Sequence, residues 1–135
     1  MINIIIMTHG NLGQELLNTA SLIIGRQSDV TVLSLSGQDS LSTMVAKTGE
    51  ILSGVPVQDG TLILTDMLGG TPCNASLSFA AAYPIEIVTG VNLYMLISAC
   101  TNRTSMNLQD LAVKVIAAGK KNIANAKEIF LKRIK

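Results

Sequence analysis

The sequence predicts a doubly wound α/β domain: a mostly parallel sheet of strand order 2-1-3-4, helices on both faces, and an optional extra antiparallel strand at one edge. Two observations carry this. Short β-branched runs alternate with longer helical segments along all 135 residues, with no linker-like stretch to divide the chain, so residues 1–135 read as one domain. Apolar residues make up 48% and charged residues only 14%, which fits a central sheet covered on both faces, a subunit interface, or both.

The elements follow in order. Ile2–Met7 reads as the first strand, and an apolar-periodic helix follows through Leu12, Leu16, Leu17, Ala20 and Ile24, stopping at Gly25. Val30–Ser34 is a second strand. Asp39 or Ser40 then caps a helix that carries Leu41, Met44, Val45, Ile51 and Leu52. Thr61–Asp66 is nearly continuous in apolar residues, as a central parallel strand should be. "GGTPCNASLSFAAA" opens the third helix, with Thr71 as its expected N-cap and Pro72 at the first helical position. Ile85–Thr89 is the fourth strand, and Asn92 is placed to cap Leu93–Cys100. A last helix is expected from Asn107 toward Phe130, loosened at Gly119.

Several function classes are disfavoured. A net charge of +1 leaves no basic footprint for nucleic acid. Lysines gather between Lys114 and Lys135; a solvated helix face is the expected reading, ahead of a membrane or nucleic-acid patch. No apolar run is long enough to span a bilayer, and Met1–Met7 lacks the flanks of a signal peptide, so a soluble cytoplasmic protein is expected. Cys73 and Cys100 have no CxxC spacing and His9 is the only histidine, so no zinc site is expected. No P-loop, GxGxxG or GxSxG pattern occurs.

Chemistry concentrates at one place. In a doubly wound sheet the site lies beyond the carboxyl ends of the strands, where strand order reverses. With order 2-1-3-4 that point falls between strands one and three, where His9 and Asp66 stand at the strand ends. A lone histidine can be purely structural, and an aspartate can simply cap a turn. As a pair they do more: a carboxylate on one ring nitrogen selects the tautomer and leaves the other nitrogen with a free lone pair, ready to act as base or nucleophile. The segment "TDMLGGTPCN" then offers main-chain amides and a hydroxyl for an anion, at Gly69, Gly70, Thr71 and Cys73, with Gly10 and Asn11 opposite. Met67, Leu68 and Asn92 are candidate lining residues. Cys73 has two readings, an activated thiol at a helix start or a core side chain. The residues point best to histidine as a phosphoryl acceptor, without metal or cofactor.

"IIIMTHGNLGQELLNTA", "LTDMLGGTPCNAS" and "IVTGVNLYML" together resemble the enzyme IIA component of the mannose family of the bacterial phosphoenolpyruvate-dependent sugar phosphotransferase system. The resemblance covers essentially the whole chain. It implies that His9 is phosphorylated by the phosphohistidine carrier HPr and hands the group to enzyme IIB, that Asp66 orients the imidazole, and that Thr71 supplies the hydroxyl beside it. It also implies a homodimer that meets the membrane only indirectly, through the permease subunits. Leu68 stands where a well-known member carries tryptophan, Tyr94 where many carry proline, and Thr71 where some carry serine. The sequence ends at Lys135, so the IIB domain fused in some members is expected to be absent. A second reading stays open: a regulatory module that uses the same phosphorylated histidine to control another protein.

Overall fold

The computed structural model describes residues 1–134. Four strands, β1 (Asn3–His9), β2 (Val30–Leu35), β3 (Thr61–Thr65) and β4 (Ile85–Val88), form one sheet of order β2-β1-β3-β4. Every pairing is parallel, and no antiparallel edge strand joins it among the described residues. The helices are α1 (Leu12–Ile24), α2 (Leu41–Gly54), α3 (Thr71–Leu77), α4 (Leu93–Asn102), α5 (Leu108–Lys121) and α6 (Ala126–Arg133).

The two apolar runs of the sequence become the two central strands. Alternation sends Ile4, Ile6, Leu62 and Leu64 into a core with Leu96, Leu111 and Val115 on one face. Ile5, Met7 and Ile63 enter a second core with Met44, Leu52 and Ala75 on the other. The edge strands β2 and β4 are mostly half-buried, which is why their sequences tolerate Thr31, Ser34 and Glu86. The chain leaves β1 toward β2 and leaves β3 toward β4, so the two connections part above the carboxyl ends of β1 and β3.

Two local expectations are corrected and one open alternative is decided. The last helical stretch is two helices, and the break lies at residues 122–125 rather than at Gly119. Asn122 Nδ2 donates to Ala118 O at 2.8 Å, closing α5, while Asn125 Oδ1 accepts from the Glu128 amide at 3.3 Å, opening α6. Short amides at both ends satisfy the free main-chain groups and make the interruption favourable. Gly119 sits inside α5 for a different reason: a Cβ there would lie 2.6 Å from Met95 Cγ, so its smallness lets α5 close on α4. At α3 the N-cap is Gly70, not Thr71; the Asn74 amide already bonds to Gly70 O at 2.9 Å, so the helix starts one residue early. Between Asp39 and Ser40, Ser40 is the cap, accepting from the Thr43 amide at 3.2 Å.

Among the described residues no helix is long and apolar enough to cross a membrane.

Candidate functional site

His9 closes β1, and the pairing of Met7 with Thr65 sets the end of β3 beside it. Asp66 is the first residue beyond β3. Its Oδ2 accepts from the His9 amide at 3.0 Å and lies 2.8 Å from His9 Nδ1. The carboxylate thus extends the ladder past the end of the strand. The main-chain bond anchors it, and the anchored oxygen then orients the ring. With Nδ1 donating to Asp66, Nε2 carries the lone pair, on a side chain that is 44% exposed against 10% for Asp66.

Partial burial pushes the Asp66 carboxyl up, but hydrogen bonds from the His9 amide and ring, and the ring's charge, together outweigh it. The group is held below the ordinary carboxylate range. Asp66 Oδ1 is buried without a protein partner among the described residues. An unpaired buried oxygen carries a desolvation cost, which favours a functional reason for the carboxylate.

Two residues outside the expected set hold this corner. The Gly13 amide donates to Thr8 Oγ1 at 2.8 Å, and a Cβ on Gly13 would lie 2.9 Å from Ile6 Cγ2. Glycine therefore lets the first turn of α1 press on β1 next to His9. A glycine inside an otherwise periodic helix was the available signal. Val91 also belongs here: its amide donates to Thr65 O at 3.0 Å, drawing the start of α4 over β3.

The expected anion-facing residues divide. Gly10, at φ +54°, makes the turn out of β1, but its amide is committed to Leu35 O at 2.8 Å. Asn11 is exposed and precedes α1 without capping it through its side chain. Gly69, at φ +81°, turns the chain, and its carbonyl accepts from Asn74 Nδ2 at 3.2 Å. The Gly70 amide donates to Met67 O at 3.2 Å. The amides of Thr71 and Cys73 precede the first bond of α3, and Thr71 is half-buried beside them. Cys73 is buried, so its side chain is a core group and the activated-thiol reading is set aside. Met67 and Leu68 are exposed at 59% and 81%, forming an apolar rim. Asn92 caps α4, accepting from the Met95 amide at 3.0 Å. Arg103 does not approach this corner; it is buried with its guanidinium on the carbonyls of Ser28 and Asp29, at the start of β2. No cluster of metal-ligating side chains occurs among the described residues.

The family model described as the PTS system fructose IIA component, mannose-type EIIA, matches residues 3–116. The chain belongs to this family. As a PTS IIA component it is 30% identical over 112 residues to the fructose-specific EIIA component of Bacillus subtilis, a match that spans 82% of this chain and 77% of that one. It is 27% identical over 124 residues to the mannose-specific EIIAB component of Escherichia coli, covering 90% of this chain but 38% of that longer protein. The crystal structure of phosphotransferase system component EIIA from Streptococcus agalactiae superposes with a TM-score of 0.88 at 32% identity, over 95% of this chain and 99% of that one.

Proposed function

We propose that this PTS IIA component relays phosphoryl groups through His9, accepting from phospho-HPr and donating to enzyme IIB of a mannose-type system during sugar uptake. The observation that carries the reading is the 2.8 Å contact between His9 Nδ1 and Asp66 Oδ2. It holds one ring nitrogen as a donor and leaves Nε2 as an exposed nucleophile. In the accepting step, the Nε2 lone pair forms a bond to phosphorus as the P–N bond of the donor phosphohistidine breaks, and the electron pair returns to the donor ring. The His9 ring then carries positive charge, which Asp66 offsets through the Nδ1–H bond. Transfer to enzyme IIB runs the same steps in the donating direction.

In this reading the Thr71 hydroxyl and the amides of Thr71 and Cys73, with those of Asn11 and Leu12 across the crevice, meet the phosphoryl oxygens. No lysine or arginine lies in the sequence between Met1 and Gly25 or between Leu52 and Ala99. Weak holding suits a relay, because an intermediate bound too tightly would not be passed on. The protein works as one cytoplasmic domain and as a homodimer. Leu22, Ile123 and Phe130, exposed at 88%, 77% and 60%, supply apolar area for a second copy to cover.

The test is incubation of the pure protein with phosphoenolpyruvate, enzyme I and HPr. A stoichiometric phosphoprotein that discharges onto enzyme IIB is expected; a chain that stays unmodified overturns the relay.

A further inference from the structure

Gly69 and Gly70 are adjacent glycines with different reasons to be glycine. Gly69 has φ +81°, which disfavours any side chain, yet a Cβ there would meet nothing within 4 Å. Gly70 is the reverse. Its φ of −73° and ψ of 164° are open to any residue, but a Cβ would lie 2.9 Å from His9 Cε1, 3.4 Å from Met67 O and 3.5 Å from Met67 Cβ. Real Cβ contacts essentially never come that close to a ring carbon. The Gly70 backbone therefore restricts one side of the imidazole while Asp66 holds Nδ1.

We infer that Gly70 is a positioning residue for His9: its missing side chain is the space that keeps the ring on the Asp66 carboxylate with Nε2 facing outward. Cε1 joins the two ring nitrogens, so displacing it moves both together. A methyl at residue 70 has the Met67 carbonyl close by, and the exposed ring is the softer neighbour. The ring yields, the Nδ1 bond to Asp66 lengthens or breaks, and the tautomer preference that bond imposes is lost. The importance of the ring's position rests on the relay reading of His9; the steric relationship does not.

The chain has one histidine, so its ring resonances are unambiguous. The experiment records ¹⁵N ring shifts of His9 against pH in the wild type, Gly70→Ala and Gly70→Ser, with phosphoryl transfer from phospho-HPr measured in parallel. The serine variant matters because Gly70 is the N-cap of α3. Serine is a better cap than glycine and alanine a worse one, so a purely capping role separates the two variants. The positioning role makes them alike. The expected result is a wild-type neutral form with its proton on Nδ1, and in both variants a shift toward the Nε2–H tautomer of free histidine. Transfer falls roughly 10- to 100-fold, the scale for a misplaced reacting group. Wild-type ring shifts in a folded variant overturn the positioning role whatever the transfer assay gives. A wild-type protein that takes no phosphate overturns the relay, while the ring spectra still decide the case of Gly70.

Discussion

One oxygen of Asp66 holds both the amide of His9, at 3.0 Å, and its ring nitrogen Nδ1, at 2.8 Å. The amide bond ties the carboxylate to the end of β1, so a change in the ring leaves the carboxylate in place. This separation makes substitutions at His9 and Asp66 interpretable.

Replacing His9 with glutamine should abolish phosphorylation without unfolding the protein, because the main-chain bond to Asp66 survives. In the wild type the phosphate should be acid-labile and alkali-stable, as a phosphoramidate is. Retention of label by the glutamine variant, or an acid-stable phosphate, contradicts the assignment.

Asp66→Asn keeps the shape of the side chain and removes its charge. An amide cannot offset charge on the phosphorylated ring as a carboxylate does, so transfer should slow by about 10²–10⁴-fold, the range for positioned acid–base partners. Stopped-flow transfer from phospho-HPr at the wild-type rate argues against the role.

The lowered pKa of Asp66 also makes a prediction about stability. A carboxyl with a folded-state pKa below its unfolded value stabilises the fold above the unfolded value, near 3.8 here, and that contribution fades as pH falls through the folded value. The stability of the wild type relative to Asp66→Asn, measured in urea from about pH 5 downward, should therefore decline below about pH 4. A difference that grows on acidification reverses the sign and rejects the linkage.

Since Gly70 caps α3 and Thr71 makes no side-chain cap bond, Thr71→Ala should cost little stability, within about 0.5 kcal/mol, the range for substitutions away from such features. It should nevertheless transfer poorly to both partners, while Thr71→Ser transfers nearly normally. An alanine variant that relays at the wild-type rate removes Thr71 from the phosphate site.

Association is tested by sedimentation equilibrium at micromolar concentration. The expected species has twice the 14.2 kDa monomer mass, and a monomer alone counts against a homodimer.

Much of the site was legible because burial leaves a pattern. The apolar runs leading to His9 and Asp66 identified two central strands, and where strand order reverses between two parallel central strands their carboxyl ends stand together. The anion-facing amides were read less well, since an amide's availability depends on the partner it finds. The Gly10 amide is taken by Leu35 and the Gly70 amide by Met67, neither of which a motif records. The one-residue shift of the cap from Thr71 to Gly70 and the break between α5 and α6 are local choices among neighbouring residues that cap comparably.

The sequence by itself determined the sheet, its central strands and the meeting of His9 with Asp66, because periodicity and burial are written into residue order. Tertiary structure alone decided distances. His9 and Asp66 are 57 residues apart in the chain, and their 2.8 Å contact depends on the register between β1 and β3. The same holds for the glycine pair: identical letters side by side, one present for its backbone angle and the other for the room it leaves an imidazole. Dihedral preference is a property of a residue and can be anticipated from a turn. Empty space is a property of neighbours, and it exists only after the chain has packed.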